Sequence, residues 1–290
     1  MNVLILQMLL NKFRNHFVST LKDNYQKSEI NALYSRLTNF FFQWPSTFSF
    51  LNSSYRLNSY EFKKLSLALE DLKKFRPIQY IINESYFYGR SFYVDENVFI
   101  PRPETENLVE WVLADFKDYK DNCNLLELGT GSGCIAISLA KEQSKFNVEA
   151  LDISKGALGV AQKNALNHDV KIEFIHQDMM DLSVYSTPLN IMISNPPYID
   201  PEEKKVMLPN VLDYEPHSAI FTPKKNPLYF YNRIIILAQS FLVKNGCLYL
   251  EINPKFQKAL LNLIKTATFK DIEMRNDIFG KKRMLKAIKS

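Results

Sequence analysis

The tetrapeptide Asn195-Pro196-Pro197-Tyr198 directly follows the apolar run LNIMIS. An apolar run of this length with β-branched residues reads as a buried strand. Two consecutive prolines can neither continue a ladder nor open a helix, so the backbone must leave the sheet in a fixed, extended shape. That shape turns the Asn195 side-chain oxygen and the Pro196 carbonyl toward whatever lies beyond the strand end, with the flat ring of Tyr198 close by. Two acceptors and an aromatic face suit a planar group carrying an NH2, such as a glutamine amide or an adenine amino group. The tetrapeptide therefore reads as an amide- or amine-methylating site. Asn195, Pro196 and Tyr198 are its catalytic candidates, and Asn195, Pro196, Pro197 and Tyr198 its substrate contacts. Taken alone it is equally a strand ending in a Pro-Pro turn.

A second constellation is LLELGTGSGCIAISLA, residues 125–140. An apolar strand runs into Gly129-Thr130-Gly131-Ser132-Gly133, and a helical pattern through Ile135, Ile137 and Leu139 follows. Strand, glycine loop and helix is the arrangement in which nucleotide-like ligands meet the carboxyl end of a parallel sheet. The GxGxG spacing departs from the dinucleotide fingerprint, and no Lys-Ser/Thr follows as a phosphate loop requires. The loop fits S-adenosylmethionine better than pyrophosphate or ATP. The next strand, NVEAL, ends in Asp152, nineteen positions beyond Gly133, where a carboxylate can accept from two ribose hydroxyls. Asp152 could instead cap the helix that follows, but Ser154 is the better cap residue. Glu127, at the end of the first strand, could bond near the methionine amino group. A third strand, KIEFI, leads to Gln177-Asp178-Met179. Asp178 and Met179 are placed to receive an adenine ring, and Asn195 closes the same site; an ordinary polar turn is the competing reading of Asp178. All four elements fall at carboxyl ends of alternating strands, where ligand sites of α/β folds belong.

With these residues on view, the chain resembles the bacterial release factor glutamine methyltransferases. The resemblance is carried by NPPY, by Arg76-Pro77-Ile78-Gln79-Tyr80-Ile81, and above all by Phe99-Ile100-Pro101-Arg102-Pro103-Glu104-Thr105-Glu106. Asp213-Tyr214-Glu215-Pro216 and Gly280-Lys281-Lys282-Arg283 extend it, so that it covers most of residues 76–290. The first 75 residues match only in general character. Asn83 stands where the family usually has glycine, Met179 where some relatives have Trp, and Glu127 where many have Asp. Asn tolerates left-handed backbone, so the turn at Asn83 can survive. The resemblance implies a seven-stranded Rossmann-like S-adenosylmethionine-dependent methyltransferase sheet with a small N-terminal α-helical bundle. It implies methylation of the glutamine of the Gly-Gly-Gln tripeptide in class 1 peptide chain release factors, with no metal. It also implies that the N-terminal bundle holds the body of the release factor.

The elements that must position these groups follow from periodicity. Residues 1–84 form a helical domain, with helices expected over 2–22, 27–42 and 59–75, and the aromatic run from Phe40 to Trp44 is expected in its core. Residues 85–103 read as a β-hairpin linker around Gly89 with a turn at Asp95-Glu96-Asn97. From 104 to 290 helices and strands alternate, which argues a doubly wound α/β catalytic domain, with late strands at GCLYLEI, FKDIEMR and RMLKAI. The basic end KKRMLKAIKS is expected as a solvated edge strand.

Composition agrees. The chain has 290 residues, 46% of them hydrophobic, which suffices for two cores. Cys123, Cys134 and Cys247 are widely spaced and the four histidines form no ligand pair, so neither a zinc site nor a disulfide framework is expected. A reducing cytoplasm is the natural home. The apolar stretch Val3 to Leu10 is too short to span a bilayer and lacks a basic flank, so no membrane association is expected. The net charge of +5 carries no long basic stripe, so a nucleic-acid partner is not expected, and the chain is read as a monomer. Adenine N6 methyltransferases of DNA and base-amino methyltransferases of RNA share the NPPY chemistry. They need base flipping and a basic groove and typically bring a separate recognition domain, and the small helical N-domain and IPRPETE argue against them. A non-catalytic cofactor-binding module remains a further alternative, though it would not require an intact NPPY.

Overall fold

The structure, a computed structural model, describes residues 8–223 and 226–290. The chain divides into two compact units, residues up to 83 with 209–214, and residues 84–208 with 215–290.

In the first unit, helices α1 (Leu10–Leu21), α2 (Lys27–Phe42), α3 (Phe48–Leu51), α4 (Ser59–Lys73) and α5 (Ile78–Ile82) surround a core of Phe13, Phe17, Leu37, Leu65 and Leu69. The face Phe13, Phe17 and Leu21 is buried as its spacing requires. Of the expected helix over 2–22, the described residues form Leu10–Leu21. Residues 1–7 lie outside the described residues, and Met8 and Leu9 are not helical. Leu57 N donates to Met8 O at 3.0 Å and Leu10 N to Tyr55 O at 2.8 Å, so this stretch pairs with 55–57 instead. An Asn58–Glu61 capping box opens α4, each side chain bonding the other residue's backbone N–H. The helix ends at Lys73, two residues before expected, and Phe75 adopts a φ of 62°. Of the aromatic run, Phe41, Phe42 and Trp44 are half-buried against the core, whereas Phe40 is exposed. Asn83 caps α5 in the left-handed conformation, with φ 53° and ψ 39°, as its short polar side chain permits.

The second unit opens with strands β1 (Ser85–Phe87) and β2 (Arg90–Phe92). Tyr88 and Gly89, at φ 48° and 71°, form a two-residue turn of the kind whose twist matches a hairpin. Phe87 and Phe92 are fully buried in this unit's own core. Helix α6 (Glu106–Asp115) follows, then β3 (Cys123–Leu128), α7 (Cys134–Glu142), β4 (Phe146–Asp152), α8 (Lys155–Asn167), β5 (Glu173–His176) and β6 (Leu189–Ser194). The four-residue helix α9 (Pro209–Leu212) belongs to the first unit. Then come α10 (Tyr229–Phe241), β7 (Leu242–Glu251), α11 (Gln257–Lys265), β8 (Phe269–Asn276) and β9 (Lys282–Lys289).

Seven strands pair in the order β5-β4-β3-β6-β7-β9-β8, parallel except for β9. Alternate residues face opposite sides. Leu125, Ile191, Ile193 and Tyr249 pack with α6 and α7, while Leu126, Leu128, Met192 and Leu248 pack with α10 and α11. This is the doubly wound sheet that the alternation predicted. The basic C-terminal segment is not an edge. β9 lies between β7 and β8 with Met284, Leu285 and Ala287 buried, and β8 forms the edge. Lys286 reaches Asp115 at 2.8 Å from within the sheet, so its charge is paired rather than solvated.

Candidate active site

A cavity of about 490 Å3 opens at the carboxyl ends of β3, β4, β5 and β6. That volume falls in the range of roughly 300–1,000 Å3 typical of small-molecule sites. Gly129, Thr130, Gly131, Ser132, Asp152, Asp178, Met179, Asn195, Pro196, Pro197 and Tyr198 all line it, as does Glu127. Parallel strands in register explain the convergence: Leu128 pairs with Leu151 and with Ser194, so three strand ends stop at one level. Gly133 is the exception and does not line the cavity. It occupies the N-cap of α7 at φ 81°, and a Cβ there would stand 3.0 Å from Ile137 Cδ1 and 3.1 Å from Ala161 Cβ. Its part is a left-handed turn and close packing of α7 on α8.

Glu127 is buried, and its Oε2 accepts from Thr130 Oγ1 at 2.6 Å and from Ala136 N at 3.1 Å. Burial outweighs these bonds and pushes its carboxyl up to about 8. Asp152 Oδ2 accepts from Gly131 N and Oδ1 from Ser154 N, both at 2.9 Å. Each oxygen keeps a lone pair for a ligand hydroxyl. Desolvation raises its pKa while the backbone N–H groups pull it back. Ser154 caps α8 by accepting from Ala157 N. Asp178 makes the turn its sequence suggested, accepting from Met180 N at 2.8 Å, and still lines the cavity. Met179 is buried beside it, its carbonyl accepting from Arg233 Nε.

At the far wall, Asn195 Nδ2 donates to Thr105 Oγ1 at 3.3 Å. Thr105 Oγ1 in turn donates to Glu251 Oε2 at 2.6 Å. Tyr198 OH donates to Glu251 Oε1 at 2.9 Å and accepts from Arg283 Nη1 at 3.2 Å. Arg102 pairs with buried Glu215, whose other oxygen accepts from Ile100 N at 3.2 Å, so the segment 99–103 is pinned beside the cavity. Sequence reasoning passed over Glu251, Tyr229 and Phe230, the last two on the cavity wall. The signal for Glu251 was a lone carboxylate ending the apolar run GCLYLEI, a residue type that is almost never buried unless paired.

The lining carries groups of the kind that S-adenosylmethionine would need. Buried Glu127 suits a cationic amino group, Asp152 two hydroxyl donors, and the Met179 side an apolar ring. Among the described residues no cluster of His, Cys, Asp or Glu could hold a metal ion.

The model of the methyltransferase small domain matches residues 105–212. The release factor glutamine methyltransferase of Flavobacterium psychrophilum is 40% identical over 96% of this chain and 99% of its own length. The chain belongs to the release factor glutamine methyltransferase family. A second release factor glutamine methyltransferase, from Bacteroides thetaiotaomicron, is 37% identical over 96% of the chain and 99% of that protein. As a member of this family the protein is an S-adenosylmethionine-dependent transferase. Solved structures add the fold alone. A 16S rRNA N2 G1207 methyltransferase from Thermus thermophilus aligns with TM-score 0.51 and 16% identity, over 71% of this chain and 50% of that one. A methyltransferase from Pyrococcus furiosus aligns with TM-score 0.51 and 13% identity, over 70% and 91%. Among the described residues no helix of this family member is long and apolar enough to cross a membrane.

Proposed function

We propose that this protein methylates the side-chain amide nitrogen of the glutamine in the Gly-Gly-Gln motif of class 1 peptide chain release factors, and so modulates translation termination. The observation that carries the reading is that the NPPY corner and the glycine loop with Asp152 wall one cavity, in a chain matched nearly end to end by relatives named for this activity. Glu127, Gly129, Thr130, Gly131, Ser132, Asp152, Asp178 and Met179 hold the cofactor, whose sulfonium supplies an electrophilic methyl group.

A carboxamide nitrogen is a poor nucleophile because its lone pair is delocalised into the carbonyl. Asn195 Oδ1 and the Pro196 carbonyl each accept one hydrogen of the substrate NH2. This aims the nitrogen at the methyl group and stabilises positive charge growing on it during in-line displacement. Alignment of two bound reactants contributes on the order of 7–11 kcal/mol in favourable cases. Tyr198 packs on the amide plane and fixes its rotation, and Pro197 holds the corner rigid. The methylated nitrogen is acidic enough to lose its proton to water, so no dedicated base is needed. The segments 1–84, 85–103 and 104–290 act as recognition domain, linker and catalytic domain. The first holds the body of the release factor, because a three-residue loop alone gives little selectivity. The protein works as a monomer in the cytoplasm, where its substrate is, and needs no nucleic acid or membrane.

The test is methyl transfer from labelled S-adenosylmethionine to a purified release factor, beside its Gly-Gly-Gln→Gly-Gly-Ala variant, duplex DNA and ribosomal RNA. Label on the wild-type factor alone is expected. Label on nucleic acid would keep the site and overturn the substrate.

A further inference from the structure

The geometry points to Thr105 and Glu251 as positioning residues that decide which end of the Asn195 amide faces the substrate. The inference rests on the amide-methylation reading of Asn195 and deepens it. An Asn side chain can be turned over at almost no steric cost, because its oxygen and its NH2 have nearly the same size. Only the hydrogen-bond network chooses between the two orientations. The choice matters here. Oδ1 toward the substrate accepts from its NH2, whereas Nδ2 toward the substrate sets donor against donor.

The network has one polarity with Glu251 ionised, a form that burial opposes and that the bonds from Thr105 and Tyr198 and the charge of Arg283 favour. Glu251, buried at the end of β7, receives a proton from each of two hydroxyls, Thr105 Oγ1 at 2.6 Å and Tyr198 OH at 2.9 Å. A hydroxyl has one proton. With that proton directed at Glu251, Thr105 Oγ1 can only accept from its remaining neighbour. That neighbour is Asn195, 3.3 Å away, which must therefore present its NH2. Oδ1 is left facing the cavity, and among the described residues no hydrogen bond to it is formed. The far end of the network is anchored as well. Arg283 donates Nη1 to Tyr198 OH at 3.2 Å and Nε to Asp277 Oδ2 at 2.9 Å, so the tyrosine oxygen is occupied as acceptor and its proton too goes to Glu251. Thr105 stands 90 residues from Asn195 and 146 from Glu251 in sequence, so three separate segments meet to set one amide.

A purely structural role, tying the 3-10 turn of Pro103–Thr105 to the end of β7, predicts a change in stability alone. The positioning role predicts a change in turnover with cofactor binding intact. The experiment uses the full-length protein with Thr105→Val, which keeps the shape and removes the hydroxyl, and Thr105→Ser, which restores it. Turnover and KM are read on a release factor, cofactor Kd by calorimetry, and Tm by melting. Thr105→Val should lower kcat by at least roughly tenfold, the ratio that 1.4 kcal/mol represents, with cofactor Kd unchanged, and Thr105→Ser should recover most of it. Wild-type kcat in Thr105→Val, or a Ser variant no better than Val, overturns the inference. A second readout needs no active variant. In spectra of nitrogen-labelled wild-type protein, the Asn195 side-chain NH2, identified by its loss in Asn195→Asp, should exchange its hydrogens more slowly than exposed amides. Exchange at the free-amide rate overturns the orientation. Should wild-type protein transfer no methyl to a release factor, the substrate reading falls, while this exchange measurement still decides the orientation.

Discussion

Raising the pH from about 6 to about 7 should tighten S-adenosylmethionine binding several-fold, approaching tenfold, and Glu127→Gln should abolish that dependence. Glu127 is buried at the end of β3, and the two hydrogen bonds to its Oε2 do not offset the loss of water. Its carboxyl is pushed up to about 8. With that value the ionised fraction is roughly 1% at pH 6 and roughly 9% at pH 7. If the cofactor's ammonium selects the charged carboxylate, affinity follows this fraction. The ligand's own α-amino group has an ordinary pKa of about 7.7–8.0, so the gain should level off near there and then reverse. Binding near pH 7 should also release most of one proton, which calorimetry in two buffers of different ionisation enthalpy reads directly. The same shift acts on stability with a definite sign. The folded state holds the proton more tightly than the unfolded one, so the contribution is fully present below the ordinary value of 4.5 and is lost as pH rises through about 8. The ceiling on that loss is on the order of 5 kcal/mol. Cofactor-free Glu127→Gln should therefore gain on wild type in melting temperature as pH rises. A wild-type Kd that is flat between these two pH values would refute the reasoning.

Asn195→Ala should leave cofactor affinity largely intact and remove turnover; near-wild-type methylation of release factor by this variant would sink the proposed mechanism. Arg102→Ala should destabilise by about 3 kcal/mol near neutral pH, because Glu215 is left charged and buried without its partner. Its pKa is already raised by burial against the pull of Arg102, so the deficit in urea midpoint should shrink in acid as Glu215 takes up a proton. Gly133→Ala should cost about 1–2 kcal/mol for the left-handed backbone alone, with more from crowding Ile137 and Ala161. An urea melt indistinguishable from wild type would show that α7 can shift to make room.

The seven strands of the large sheet were legible because most are short apolar or alternating runs bounded by turn residues, a pattern local enough to survive without tertiary information. The glycine loop, Asp152, Asp178 and NPPY were legible for a related reason. In a parallel sheet the residues just past each strand end are brought together by the register itself, so naming the strand ends names the site. The left-handed Asn83 was equally local. What the chain alone could not decide was pairing at a distance. The basic segment 282–289 has the composition of an edge strand, yet β9 is covered on both sides, because a strand's neighbours are set by topology and not by its own residues. Gly133 shares its spacing with the glycines of the cavity, but its neighbours Ile137 and Ala161 give it a packing role that only the approach of two helices creates. Glu251 shows in the sequence only as a lone carboxylate ending an apolar strand. Its meaning comes from Thr105 and Tyr198, 146 and 53 residues away, whose protons it collects. Sequence carries the donor and acceptor types; which donor meets which acceptor, and so which way Asn195 faces, is fixed only when burial removes water as the alternative partner.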